Sequence, residues 1–250
     1  MRMILFSLFG FDVYSHGVFL VLGIVVAGFF MYRLLTKEKL NRSSFLYHYV
    51  ASVIFGVVAS RVIFYLFNTS LYNSCYQILE IWEGGLVSFA GFIIGGFSFY
   101  LLLRKKEREV EPIINLAGVA FPLGIAIGRI GCTLNGEVGI KLKSMIAYYG
   151  YMPVTAIEIF TSSLIFVIIF LIYLKFKPKL CRYSLFLLFI IFYSLSRIII
   201  DGWRIDQKIF LGLNFGQLFS IIIFILSLIF LLKNRHIPSL LTKDRSPNEN

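Results

Sequence analysis

Apolar residues in this chain run in long blocks broken by short polar stretches, and the blocks set the architecture. Windows of about 18 to 22 mostly apolar residues, the length that crosses a hydrocarbon layer as a helix, fall near 17–35, 44–68, 86–103, 113–131, 154–174, 183–200 and 214–232. The breaks between them are short, and neither an internal repeat nor a low-complexity segment interrupts the pattern. The expected fold is an all-α integral membrane protein: a seven-transmembrane-helix bundle over residues 1–235, then a polar cytoplasmic tail over 236–250. Met1 to His16 holds one basic residue, an early Gly10 and no small-residue cleavage site. The first span therefore reads as a retained helix, not a removed signal.

Composition agrees with the pattern. Hydrophobic residues make up 58% of the 250 residues and charged ones 15%, with mean hydropathy +0.84. One soluble core cannot hide that much apolar surface. The 27 phenylalanines read as lipid-facing and packing surface. Cys75, Cys132 and Cys181 are odd in number and lie in different segments, so neither a disulfide framework nor a zinc site is implied by spacing.

A net charge of +11 raises nucleic-acid binding, but the placement of the charge answers it. Arg33, Lys37, Lys39 and Arg42 follow the first span; Arg104, Lys105, Lys106 and Arg108 the third; Lys175, Lys177, Lys179 and Arg182 the fifth; Lys233, Arg235, Lys243 and Arg245 the last. These 16 of 24 basic residues fall on alternate loops, which marks those loops as cytoplasmic. The N-terminus is then expected outside and the C-terminus in the cytoplasm, with no nucleic-acid partner.

That orientation gathers the polar residues of the spans in the outer leaflet. Arg61 lies in span two, Arg129 at the end of span four, Glu158 at the start of span five, and Arg197 and Asp201 one turn apart at the end of span six, while His16 opens span one. His48, at the other end of span two, reads as a hydrogen-bonded interfacial residue. A guanidinium at membrane depth costs several kcal/mol, so it faces a bundle interior and a partner or substrate. Its rigid fork also matches a phosphate. Arg61, Arg129 and Arg197 with Glu137, Glu158 and Asp201 form either a set of buried ion pairs or, by their excess of donors, a seat for an anionic ligand. The cluster is shallow, one-sided and unrepeated, unlike the midplane sites of transporters.

The residues that carry this cluster carry a resemblance too. Gly128-Arg129-Ile130-Gly131-Cys132-Thr133-Leu134-Asn135-Gly136-Glu137 resembles the signature of the prolipoprotein diacylglyceryl transferases, Gly-Arg-x-Gly-Asn-Phe-x-Asn-Gly-Glu. Trp82 to Leu86 with Ser88 to Gly91, Pro153 through Glu158, Ser196 through Arg204, and Gly216-Gln217 resemble further segments of that family in the same order. The resemblance spans about 200 residues and implies a bacterial inner-membrane enzyme. Its reaction would move the diacylglyceryl group of phosphatidylglycerol to the thiol of a lipobox cysteine in a preprolipoprotein, with the lipid arriving from the bilayer and no cofactor. Arg129 and Arg197 would stabilise the phosphate leaving group, Glu137 and Asp201 would orient them, and Asn135 would bond a head-group hydroxyl. Gly136, Arg61, Arg204 and Glu158 complete the substrate-binding set.

Three positions depart from the family pattern. Ala90 stands where the family has a histidine before Gly-Gly, Cys132 where the signature has asparagine, and His16, before Gly17, where the first helix has tyrosine. Imidazole accepts a proton at neutral pH, so His16 is the expected catalytic substitute for the polar group missing at Ala90, its other reading being an anchor of span one at the interface. Cys132 reads as a small packing residue. A related lipid-head-group transferase with another acceptor, or a non-catalytic protein that binds anionic lipid, are the alternatives.

Overall fold

The computed structural model describes residues 4–8, 11–41, 44–69, 72, 74–79, 88–106, 110–141, 150–176, 183–205 and 208–234. The segment Trp82 to Leu86, Cys181 and the 236–250 tail lie outside them. Seven α-helices dominate: α1 (Ser15–Lys37), α2 (Phe45–Phe67), α3 (Ser88–Lys106), α4 (Val110–Leu134), α5 (Val154–Phe176), α6 (Ser184–Ile200) and α7 (Phe215–Asn234). Six of them are long and apolar enough to cross a membrane. A 23-residue helix such as α1 rises about 35 Å, against a hydrocarbon layer of about 30 Å. α3 falls outside that six: three glycines and the terminal Arg104, Lys105 and Lys106 dilute its apolar run.

The purely α expectation needs one correction. Two antiparallel hairpins accompany the helices, β1 (Ile4–Leu8) with β2 (Phe11–Tyr14) and β3 (Lys208–Phe210) with β4 (Leu213–Asn214). Windows of about 18 residues average over strands this short. Leu211 and Gly212, both at positive φ, supply the turn whose twist suits a two-residue hairpin.

The chain forms two compact units, residues 28–113 and residues 1–27 with 114–250. In the first, α2 and α3 pack closely: a Cβ on Gly56 would stand 2.8 Å from the Gly91 carbonyl oxygen. Small residues permit such backbone contact where lipid supplies no hydrophobic drive. In the same unit Phe45 and Tyr49 stack, and Phe99 meets both rings edge-on. His48 is buried and its ring contacts that of Tyr47.

In the second unit polar side chains tie helix ends together. Asn115 of α4 accepts the backbone N–H of Leu185 at 3.0 Å, serving an orphan donor at the start of α6. At the start of α7, Asn214 Oδ1 accepts the Gln217 N–H at 2.8 Å and Gln217 Oε1 accepts the Asn214 N–H at 3.2 Å, a reciprocal cap. The same side chains reach α6: Asn214 Nδ2 donates to the Asp201 carbonyl at 2.7 Å and Gln217 Nε2 to the Ile198 carbonyl at 2.9 Å. The Gly216-Gln217 pair is thus a clasp between α6 and α7. We predict that Asn214→Ala costs about 1–2 kcal/mol, measured as a lower thermal midpoint of the detergent-solubilised protein; an unchanged midpoint would contradict the cap's role.

Candidate active site

The site begins where α4 stops. Gly136 adopts φ 71°, and its N–H donates to the Thr133 carbonyl at 3.0 Å while the Glu137 N–H donates to that of Cys132 at 3.2 Å. This is a glycine-terminated Schellman turn, and it throws Glu137 back across the helix end. No atom lies within 4 Å of a Cβ built on Gly136, so glycine serves the backbone there. The outgoing strand-like segment is knitted down: Gly139 N–H to the Met152 carbonyl, Met152 N–H to that of Ile140, and Ile140 N–H to that of Trp203, at 2.8 to 3.0 Å. Met152, Val154 and Ile200 pack as a buried core against Ile157 and Trp203 beneath it. The end of α4, the start of α5 and the end of α6 are thereby held at one place.

Their charged side chains form one chain of alternating sign. Arg129 Nε lies 3.0 Å from Glu158 Oε2, Glu158 Oε1 accepts from Arg197 Nη1, and Arg197 Nη2 lies 2.9 Å from Asp201 Oδ1. Arg204 continues it, 4.0 Å from Asp201 and 3.5 Å from Glu137. The middle of the chain is the least exposed, with the side chains of Glu158 at 4%, Arg197 at 7% and Asp201 at 1%, while Arg129 at one end is 19% exposed and Glu137 at the other 41%. Tyr193 of α6 lies within hydrogen-bonding range of the Arg129 guanidinium.

These six charges cancel, so an anion would be drawn by unused N–H donors and not by net charge. Arg197 Nε is buried without a hydrogen-bond partner among the described residues. Arg129, 19% exposed, directs Nη1 toward the Cys132 sulfur at 3.9 Å, a long contact. The buried ion-pair reading is present in the geometry, and spare donors remain within it.

The start of α1 closes the site. A Cβ on Gly131 would meet His16 Cα and the Ser15 carbonyl oxygen at 2.9 Å, so glycine admits α1 against α4. Ser15 Oγ donates to Asn135 Oδ1 at 2.8 Å, and His16 Nδ1 lies 3.2 Å from Cys132 Sγ. Cys132 is buried, as a packing residue would be, but its contacts are polar. Among the described residues, His16, Cys132 and Glu137 bring one ligand atom each to within 4.8 Å of one another, a grouping that no spacing in the sequence reveals. Arg61 has other partners: it donates to the Ile78 carbonyl at 3.0 Å and the Gln77 carbonyl at 2.8 Å and lies over the Tyr72 ring. Those contacts fasten α2 to the segment that follows it. Ala90 is buried in α3.

A family model for prolipoprotein diacylglyceryl transferase matches residues 3–233. The chain belongs to the prolipoprotein diacylglyceryl transferase family. Its relatives include proteins named phosphatidylglycerol–prolipoprotein diacylglyceryl transferase from Clostridium novyi (strain NT), 28% identical over 94% of this chain and 96% of that protein. Those of Thermotoga maritima, 27% identical over 89% and 81%, and Finegoldia magna, 26% identical over 93% and 96%, carry the same name.

Of the residues expected from the sequence, Arg129, Asn135, Gly136, Glu137, Glu158, Arg197, Asp201, Arg204 and His16 all come together in this transferase-family site. The sequence does not reveal Ser15 and Tyr193: a serine at the first position of a helix and a tyrosine within an apolar one carry no signal until their neighbours are known. Thr155, whose hydroxyl donates to the Glu137 carbonyl at 3.2 Å, is hidden in the same way. Burial sets what each charge is worth. We expect Glu158→Gln, which strands two buried guanidiniums, to destabilise the folded protein by about 3–5 kcal/mol, and Glu137→Gln by under about 1 kcal/mol. Thermal unfolding in detergent compares them, and equal losses would refute the ranking.

Proposed function

We propose that this chain transfers the diacylglyceryl group of phosphatidylglycerol to the lipobox cysteine thiol of preprolipoproteins in the bacterial cytoplasmic (inner) membrane. The observation that carries the reading is the buried Arg129–Glu158–Arg197–Asp201 chain, built from the residues through which the chain resembles its family. The acceptor sulfur attacks the glyceryl carbon, the C–O bond to phosphate breaks, and glycerol phosphate leaves. Negative charge grows on the departing phosphate. The free edges of Arg129 and Arg197 lie where donors stabilise it in a water-poor site, and Glu158 and Asp201 fix both guanidiniums beforehand. Arg204 and Glu137 form the outer rim. Asn135, oriented by Ser15, bonds a head-group hydroxyl, and Gly136 shapes the turn that exposes it. Arg61 belongs to the lipid-binding surface. His16, whose Nδ1 lies 3.2 Å from Cys132 Sγ, accepts the thiol proton through its ring nitrogen Nε2.

In this reading residues 1–235 form one seven-span domain, consistent with a family match running over 3–233, α3 being the seventh span. The basic loops place the N-terminus outside, the 236–250 tail in the cytoplasm and the site toward the outer leaflet.

Expression in cells depleted of their own transferase tests the activity directly. Thioether-linked diacylglycerol is expected on a reporter lipoprotein; its absence, with the protein inserted in the membrane, would favour another acceptor or simple lipid binding. Arg129→Lys keeps the charge and loses the fork, so transfer should fall by roughly 100-fold or more, with near-normal turnover ruling out a phosphate clamp. For topology, a cysteine placed at Asn68 in a Cys75→Ser background should react with an impermeant thiol reagent added outside, and one at Lys106 should not. The reverse labelling would invert the site.

A further inference from the structure

Two of the three departures from the family pattern, at positions 116 residues apart, meet in space: His16 Nδ1 lies 3.2 Å from Cys132 Sγ. Both substitutions introduce metal-ligating side chains, and the Glu137 carboxylate completes a set whose ligand atoms lie within 4.8 Å of one another. We propose that His16 Nδ1, Cys132 Sγ and the Glu137 carboxylate bind one divalent ion of the zinc class, with an open fourth position for the acceptor thiol.

The donor chemistry supports that ion. Zinc takes imidazole nitrogen, thiolate and carboxylate oxygen at about 2.0–2.3 Å in a tetrahedron, which puts ligand atoms about 3.3–3.8 Å apart, so the set must close by about 1 Å. His16 and Glu137 are exposed, which leaves them room to move while buried Cys132 stays fixed. Added to the six-charge chain, which already includes Glu137, the dication and the Cys132 thiolate leave one positive charge, which the acceptor thiolate cancels, keeping the cost next to hydrocarbon low. Glu137 keeps its second oxygen for Arg204. Arg129 Nη1 lies 3.9 Å from Cys132 Sγ and is the neighbouring positive group.

Three protein ligands and an open position are the arrangement of catalytic rather than structural zinc. The inference rests on the transfer proposed above and refines its first step. The acceptor S–H loses its proton to water on coordination, because a metal-bound thiol is deprotonated. The bound thiolate's electron pair forms the S–C bond to the glyceryl carbon, the C–O bond breaks, and its pair leaves on the phosphate oxygen of glycerol phosphate. The ion keeps its oxidation state. With it bound, His16 holds the metal and the ion replaces the imidazole in drawing off the proton.

Cobalt reports on the site without any need for activity. The full chain in lipid nanodiscs, stripped with a chelator, is titrated with Co²⁺. A near-ultraviolet thiolate-to-cobalt band with four-coordinate visible bands should saturate at one equivalent and vanish on adding Zn²⁺. Cys132→Ser should lose the near-ultraviolet band, and His16→Gln or Glu137→Gln should weaken binding roughly tenfold or more. No such band in the wild-type chain, or a band undiminished in Cys132→Ser, overturns the site. Transfer to a reporter lipoprotein is then measured on the same samples. Loss on stripping and return with Zn²⁺ supports the catalytic role; full transfer by the stripped protein overturns it and leaves the proposed function standing. Cobalt binding without transfer in any metal state supports the site and overturns the transfer reading instead. The double variant His16→Tyr with Cys132→Asn, which restores two of the three family residues, should lose the cobalt band; a band retained in it counts against the site.

Discussion

Glu158 is the residue on which the rest of the site depends, because one buried carboxylate serves two guanidiniums from two other helices. Bringing Arg129 and Arg197 into a bundle is costly unless each finds a counter-charge, and a side chain between them supplies both. The carboxylate therefore fixes the distance between α4 and α6 at their ends as well as the direction of each fork. Asp201, one helical turn beyond Arg197, holds the second side of that guanidinium. In the proposed mechanism, guanidiniums so restrained need little rearrangement to meet a phosphate, which is the condition under which electrostatic stabilisation is most effective.

The neutral connections do as much to place these groups. Asp201 is itself located by α7, through the bond from Asn214 to its carbonyl, and Gly216 lets the new helix pass with its Cβ position 2.5 Å from Asp201 Oδ2. The Schellman turn at Gly136 and the backbone pairing of 139–140 with 152 and 203 set Glu137 at the outer edge. Five helix ends, the starts of α1, α5 and α7 and the ends of α4 and α6, thus meet through short, directional contacts. Long apolar helices pack with little positional preference in lipid. Polar bonds at their ends supply the registration that apolar packing leaves loose.

The departures from the family pattern follow the same logic. By the resemblance, Ala90 takes a polar group from α3, while His16 and Cys132 put an imidazole and a thiol where tyrosine and asparagine are expected, at the meeting of α1 and α4. Each change alone reads as a loss. Their contact makes them one chemical unit beside Arg129, with Glu137 in reach.

What the sequence by itself determined was whatever depends on composition and order. Apolar block length located seven helices to within a few residues, alternate basic loops set the expected orientation, and the run from Gly128 to Glu137 singled out Arg129, Asn135 and Gly136 as parts of the site. The hairpins at 4–14 and 208–214 escaped because a window wide enough for a span averages them away. Tertiary structure alone decided which charges meet. Arg61 and Arg197 look alike in sequence, each an arginine in an apolar helix, yet Arg61 spends its donors on the carbonyls of residues 77 and 78 while Arg197 shares Glu158 with Arg129. Likewise His16 and Cys132 become neighbours only because Gly131 lets α1 lie against α4. A side chain's partners are set by helix direction, rotation and depth, and those follow from contacts between residues far apart in the chain.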